Sequence, residues 1–296
     1  MINEEKDTGA VRPALVCPIC RQPLEYIADE KRMACRNRHS FDISRKGYIN
    51  LLPSNKKNSK IPGDSPEMVH ARTSFLEKGY YRGFSDGINS ACTDVFRDFS
   101  LVRIVDAGCG EGYYTGRLAG AFEKNGIKVT AAGFDLSKDA IAHAASATKN
   151  DPSFAFCVAS LFDMPVPDKS ADLIVNLFAP VADGEFARIL SDNGLLLIAV
   201  PAEEHLFGLK SAIYDNPYKN ETRRDILSSF VLEKVHNITY TITLRSNSDI
   251  MNLFAMTPYF WKTSVSDKAR LSLLDTLDTV VSFDLLLYRK KPAAAI

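Results

Sequence analysis

Residues 101–112 read Leu101-Val-Arg-Ile-Val-Asp106-Ala-Gly108-Cys-Gly110-Glu-Gly112. An apolar strand runs into an acid, and the acid opens a loop with a glycine at every second position. Glycines there let the backbone turn sharply and approach a ligand closely. The helix expected to follow offers its first amides to an anionic group such as a carboxylate. A dinucleotide fingerprint would need Gly-x-Gly-x-x-Gly. Counting from Gly108, the last glycine of that pattern would fall at Tyr113, so the fingerprint fails.

Outward from this loop, strands and helices alternate. The pattern predicts strands over 103–107, 128–135, 154–159, 171–177 and 194–200, with helices over 112–125, 138–148 and 183–190. Such alternation implies a parallel sheet covered by helices on both faces, an α/β fold. Two helices, 67–78 and 84–99, precede the series. Two long strands, 237–244 and 280–289, close it, with a helical stretch between them. The second strand ends in Asp135, 25 positions after Gly110. An acid placed there can accept both hydroxyls of a ribose. It can equally mark the start of the helix that begins beside Ser137. Together with the glycine loop, the ribose role is favoured.

The whole chain sets bounds. At 296 residues it is long enough for one large core and a small appendage. An apolar share of 46% and a charged share of 24% are those of a globular protein. No apolar run approaches the roughly 20 residues that span a bilayer, and the mixed-charge start is unlike a signal peptide. A cytoplasmic protein with no membrane partner is expected. Six cysteines in this setting are not a disulfide framework. Cys92, Cys109 and Cys157 read as small buried hydrophobes.

Cys17, Cys20, Cys35 and His39 carry a second signal: Cys-x2-Cys, then 14 residues, then Cys-x3-His. Zinc takes four N or S donors in a tetrahedron. Two such knuckles fill all four positions, so the predicted ion is structural. For a module of this size, the metal replaces a core the chain cannot build. The expected organisation is a flexible arm over 1–13, a zinc module over 14–53, a polar linker over 54–66, and a catalytic domain over 67–296. From Lys31 to Lys60 the bases are Lys31, Arg32, Arg36, Arg38, Arg45, Lys46, Lys56, Lys57 and Lys60, against Asp42 alone. That run is an electrostatic footprint for nucleic acid, although the net charge is zero.

The Asp-x-Gly-x-Gly-x-Gly loop resembles the first motif of S-adenosylmethionine-dependent methyltransferases. Other stretches narrow the resemblance: Cys17-Pro-Ile-Cys20, Phe41-Asp42, Lys46-Gly-Tyr-Ile-Asn-Leu-Leu-Pro53, Pro62-Gly-Asp-Ser65, Glu67-Met68, Ala71-Arg72, Phe75-Leu76 and Gly79-Tyr-Tyr81. Asp135-Leu-Ser-Lys138, Cys157-Val-Ala-Ser160, residues 201–205 and Met256-Thr-Pro258 continue it. From about residue 15 onward the chain resembles the bacterial 23S ribosomal RNA (guanine-N1)-methyltransferase family. The resemblance implies a class I methyltransferase fold, with a seven-stranded, mostly parallel, Rossmann-like sheet behind a small zinc module. It implies methyl transfer from S-adenosylmethionine to N1 of one guanine in a hairpin of 23S rRNA. It also implies Cys17, Cys20, Cys35 and His39 as zinc ligands, and Tyr81, Glu111, Gly112 and His205 as cofactor contacts. Asp106, Gly108, Gly110 and Asp135 join these contacts from the reading of the loop itself. A homodimer is a further implication, without an identifiable interface.

After the fourth strand the chain reads Asn176-Leu-Phe-Ala-Pro180. It lacks the paired prolines common in enzymes that methylate exocyclic amines. Phe178 can stack and Asn176 can hydrogen-bond, but neither is a base. Asp64 and Glu67 are candidates to take the guanine N1 proton, and the sequence does not choose between them. Two other readings fit the same motifs. One is a methyltransferase of this fold acting on another RNA or a small molecule. The other is a non-catalytic protein that binds S-adenosylmethionine and RNA.

Overall fold

A computed structural model describes residues 11–53, 63–149, 151–222 and 227–292. Most of the 1–13 arm, most of the 54–66 linker, and Lys56, Lys57 and Lys60 lie outside the described residues.

The head holds three short strands, β1 (Glu25–Ile27), β2 (Arg32–Ala34) and β3 (Ser40–Asp42), in an antiparallel sheet of order β1-β2-β3. Each strand is only three residues long, too short to show a strand periodicity of its own. The next strand, β4 (Ile49–Asn50), leaves the head. It pairs in parallel with the main sheet, Ile49 opposite Cys157 and Asn50 opposite Val158.

The body follows as α1 (Pro66–Glu77), α2 (Arg82–Val95), β5 (Leu101–Ala107), α3 (Tyr113–Lys124), β6 (Lys128–Asp135), α4 (Lys138–Ala147) and β7 (Phe154–Val158). Then come β8 (Ala171–Leu177), α5 (Asp183–Ile189), β9 (Leu190–Pro201), α6 (Phe207–Ile213) and β10 (Phe230–Leu244). Helices α7 (Asn247–Ala255), α8 (Tyr259–Lys262) and α9 (Val265–Ser272) lead to β11 (Leu277–Lys290). The eight-stranded sheet runs β10-β11-β9-β8-β5-β6-β7-β4. From β4 to β9 every pairing is parallel. β11 enters antiparallel between β9 and β10. This is the class I methyltransferase sheet of seven strands, with β4 added as an eighth at its edge.

Burial explains the strands. All seven residues of β8 are buried, as a central strand covered on both faces requires. β10 is an edge strand with exposed charges such as Glu233 and Lys234 and a bulge between Leu232 and Lys234. Edge strands carry charge and bulges that discourage further pairing. That charged, bulged start is why the sequence pattern opened this strand only at residue 237. Caps set the helix starts: Ser65 Oγ accepts from the Met68 N–H with Pro66 in the first turn, and Ser137 Oγ accepts from the Ala140 N–H.

One apolar cluster joins α1, α2, α3 and α7 to one face of the sheet, through Phe75, Phe84, Phe122, Phe254 and Phe283. The other face packs Phe134, Cys157 and Phe186 together with Leu15, Cys17, Leu24, Met33 and Cys35 of the head. The head is thus seated on the body. The Val16 N–H donates to Pro165 O at 2.9 Å, and Arg21 pairs with Asp163 and donates to Met164 O at 2.8 Å. Cys92, Cys109 and Cys157 are buried, as small hydrophobes should be.

Candidate metal centre and cofactor cradle

Two tight turns build the metal centre. In the first, the Arg21 N–H donates to Cys17 O at 2.8 Å; in the second, the Arg38 N–H donates to Cys35 O at 2.9 Å. Arg21 and Arg38 close these turns at φ 59° and 65°. The turns bring Cys17, Cys20, Cys35 and His39 together, with donor atoms all within 4.8 Å of one another. Cys17 Sγ lies 3.4 Å and Cys35 Sγ 3.5 Å from His39 Nδ1, and Cys20 Sγ lies 3.6 Å from Cys35 Sγ. A zinc ion bonded at about 2.0–2.3 Å requires tetrahedral edges of roughly 3.4–3.8 Å. These three edges fall within that range, and the four protein donors suffice for a tetrahedral site. The Gln22 backbone N–H, ahead of any other influence, draws the Cys20 thiol down to about 6, toward the thiolate that binds metal. Such a cluster holds a structural zinc.

The cofactor cradle lies at the carboxyl ends of β5, β6 and β8, where the strand order reverses, which is where parallel sheets bind ligands. Gly108, Gly110 and Gly112 have φ of 92°, 53° and 77°. A Cβ on Gly108 would meet the Ala179 Cβ at 2.3 Å, and one on Gly112 the Ala144 Cβ at 2.8 Å. Neither position admits a side chain. The loop is pinned by N–H groups of Gly108 and Cys109, which donate to Phe134 O at 2.8 and 3.1 Å.

Asp106 is buried beneath the loop and accepts from Thr115 Oγ1 at 2.5 Å. Burial pushes its carboxyl up to about 7, against the Thr115 hydroxyl. Asp135 accepts from the Gly110 N–H at 3.1 Å through Oδ2 and from the Ser137 N–H at 2.8 Å through Oδ1. It therefore anchors the loop as well as marking the helix start, and each oxygen keeps a lone pair for a hydroxyl. Glu111 is buried and accepts from Arg72 Nε at 2.6 Å. That partner was not read as part of the site from sequence. Arg72 also pairs with Asp64, which ties one of the two candidate bases. The other, Glu67, is exposed in the first turn of α1, its carboxyl held low by its own N–H and by Ser65.

Tyr81 and His205 come together from opposite ends of the body, ring centroids 6.4 Å apart. Phe283 lies beside both, at 5.6 and 4.0 Å. Tyr81 is 3% exposed and makes no side-chain hydrogen bond among the described residues. His205 Nδ1 accepts from the Ser282 N–H at 3.2 Å, so a neutral ring carries its proton on Nε2. Burial, then the Lys210 charge, depresses its pKa to about 3. The loop that bears it is braced by Asn220, whose Nδ2 donates to Ala202 O and His205 O at 3.0 Å. Phe178, directly after β8, is 52% exposed with φ 62°, a strained setting that points to function. It rests on Phe283 and Phe84 at 4.9 and 5.6 Å. Asn176 is turned inward, donating to Ala107 O at 3.0 Å and Pro180 O at 3.3 Å.

The chain matches known families in both parts: the N-terminal zinc-ribbon family described as RlmA, N-terminal, over residues 15–60, and the family described as methyltransferase domain over residues 98–254. It is 31% identical to a Bacillus subtilis protein described as a candidate 23S rRNA (guanine-N1)-methyltransferase, over 93% of this chain and 96% of that one. The chain belongs to the 23S rRNA (guanine-N1)-methyltransferase family. A second member, the 23S rRNA (guanine(748)-N1)-methyltransferase of Streptomyces fradiae, is 30% identical over 86% of this chain and 89% of its own. A Micromonospora griseorubida protein described as a candidate member is 32% identical over 88% and 90%. Membership in this methyltransferase family makes S-adenosylmethionine the cofactor, with the zinc cluster in the ribbon ahead of the methyltransferase domain.

Proposed function

We propose that this protein methylates N1 of one guanine in a hairpin of 23S rRNA, using its head to grip the RNA. The observation that carries the reading is the joining of two sites on one sheet. β4 closes the metal-bearing head and pairs with β7, whose neighbour β6 ends in Asp135. Lys31, Arg36, Arg38, Arg45 and Lys46 are exposed on the head and make no ion pair among the described residues. Unpaired cations of this kind bind phosphates and position an RNA without reading its sequence. Loop bases are then free to be splayed out and read.

S-adenosylmethionine, when bound, supplies the electrophilic methyl of its sulfonium. Gly108, packed on Ala179, and Gly110, packed under Arg72, shape the loop against which it would lie. Asp135, whose oxygens keep lone pairs beside the Gly110 and Ser137 amides, would accept from the cofactor's ribose hydroxyls. Tyr81 and the Nε2–H of His205 close the side of the cradle nearest Phe178. The exposed ring of Phe178 is the platform for a guanine that has left its stack, as enzymes acting on bases require. Holding the guanine N1 in line with the methyl supplies much of the acceleration. As the N–CH3 bond forms the S–CH3 bond breaks, S-adenosylhomocysteine leaves, and the N1 proton passes to water.

A homodimer, implied by the family resemblance, and a cytoplasmic location, expected from the absence of a long apolar run and from the mixed-charge start, are part of this proposal. Among the described residues no helix is long and apolar enough to cross a membrane. The test is transfer of labelled methyl to protein-free large-subunit RNA, with the modified base mapped by reverse-transcription arrest and mass. N1 methylation blocks Watson–Crick pairing, so a stop at one hairpin guanine is the expected result. Label in free guanosine but not in RNA would favour the small-molecule reading. Cofactor binding without any transfer would favour the binding-protein reading.

A further inference from the structure

Arg72 sits at the middle of α1 with its side chain 19% exposed. Two corners of its guanidinium are held: Nε donates to Glu111 and Nη1 to Asp64. The third corner, Nη2, donates to no residue among those described. It lies over the glycine loop, because a Cβ built on Gly110 would meet Nη2 at 3.1 Å. A guanidinium fixed on two sides thus presents its remaining N–H groups to the cofactor cradle.

The fixing is itself built. Asp64 belongs to the segment that precedes α1, and its carbonyl accepts from Ser137 Oγ at 3.1 Å. Gly63 makes that approach possible, since a Cβ there would meet the Ser137 backbone nitrogen at 2.7 Å. Opposing burial, which disfavours the charge, the Glu111 and Asp64 carboxylates keep Arg72 ionised. The cradle otherwise presents acids: Glu111, Asp135 and the buried Asp106. An acid excess suits the sulfonium and the ammonium of the cofactor. It does not suit the one anionic group of the cofactor, the carboxylate of its methionine moiety. Arg72, whose Nη2 lies over Gly110, is a cation placed to receive it, and planar N–H donors match a carboxylate well.

We propose that Arg72 is a cofactor-binding residue whose Nη2 takes the methionine carboxylate, while Glu111 and Asp64 hold the guanidinium plane. This rests on the placement of S-adenosylmethionine over the glycine loop. Glu111 then acts on the cofactor in part through Arg72, as a positioning residue.

The test is calorimetric and needs no RNA. S-adenosylhomocysteine carries the carboxylate; 5′-methylthioadenosine has the same adenosyl group without it. Arg72→Gln should weaken S-adenosylhomocysteine by about 10- to 100-fold, the range of a charge-assisted hydrogen bond. It should leave 5′-methylthioadenosine within about twofold of the parent. Arg72→Lys, which keeps the charge but not the planar donors, should fall between. An equal loss for both ligands would show a merely structural role, and no loss for S-adenosylhomocysteine would remove the contact; either overturns the proposal. Should Arg72→Gln fail to fold, the parent protein decides with S-adenosylhomocysteine and its decarboxylated analogue. Equal affinities for those two would overturn the proposal as well. A parent that binds neither adenosyl ligand defeats the cradle and this contact together. Selective loss of S-adenosylhomocysteine with no methylation of RNA would sink the substrate reading alone.

Discussion

Arg21 and Arg38 in the head, and Gly108, Gly110 and Gly112 in the cradle, all adopt positive φ. The two regions hold this backbone by opposite means. In the cradle the side chain is forbidden: a Cβ at Gly108 would stand 2.3 Å from the Ala179 Cβ, so only glycine lets the loop lie against the segment that follows β8. In the head the side chains are kept, although a left-handed arginine costs roughly 1–2 kcal/mol. Metal binding offsets that cost, since a structural zinc contributes about 10–16 kcal/mol in small modules. The comparison teaches that the head tolerates strain in order to keep charged side chains, Arg21 pinning it to the body and Arg38 exposed, whereas the glycine loop gives up side chains in order to pack closely on its own neighbours.

The largest expected effect comes from breaking the cradle. Gly108→Ala combines a strained φ with a clash against the Ala179 Cβ at 2.3 Å, at roughly 2–5 kcal/mol. Calorimetry with S-adenosylhomocysteine should show no binding, while zinc content stays at one ion per chain. Retained binding would mean the loop does not approach the cofactor.

A second contrast is in titration. The head is cationic, but His205 in the cradle is neutral, with its pKa near 3. The unfolded chain takes up a proton near 6.5 that the native ring refuses. The contribution of His205 is therefore complete above about pH 6.5 and declines toward pH 3 by up to about 1.4 kcal/mol per unit. Denaturant midpoints at pH 5 and 7.5 should differ less in His205→Gln than in the parent. An equal pH dependence would show that His205 titrates normally.

On the head, Arg36→Ala and Arg38→Ala should each weaken RNA binding and lower the slope of log K against log salt by about 1. A slope that does not change places these cations off the RNA. The smallest effects sharpen the comparison most. Arg38→Gly should weaken RNA yet stabilise the zinc-loaded protein by about 0.5–1 kcal/mol, because glycine relieves the strain. In the body, Gly120→Ala in α3 meets nothing within 4 Å of its new Cβ. It should add about 0.5–1 kcal/mol in thermal or denaturant unfolding. The same exchange is thus predicted to be lethal at Gly108 and favourable at Gly120.

Local spacing made both centres legible. The four metal-cluster residues and the glycine loop are short-range patterns, and the structure brings the members of each together. Alternating strands and helices made the sheet legible for the same reason, since the burial of β8 and of most of β5 writes short, mostly apolar runs. What the sequence concealed is long-range. Ile49 and Asn50 form a two-residue strand whose partner, β7, lies a hundred positions away, and no periodicity announces it. Arg72 was visible only as part of a motif, because its role depends on how α1 is docked against Gly110. Asp135 looked like a choice between ribose contact and helix start; the hydrogen bonds show that it also anchors the loop. The brace of His205 by Asn220 crosses between separate loops and had no local signature.

The central claim is a division of labour, with the head gripping RNA and the cradle holding the cofactor. It is tested most directly by titrating the zinc-loaded and the chelated protein in parallel with S-adenosylhomocysteine and with a hairpin of 23S rRNA. The account predicts that chelation weakens the hairpin by about 100-fold or more while cofactor affinity stays within about threefold. Hairpin binding that survives metal removal, or the two affinities falling together, would contradict it.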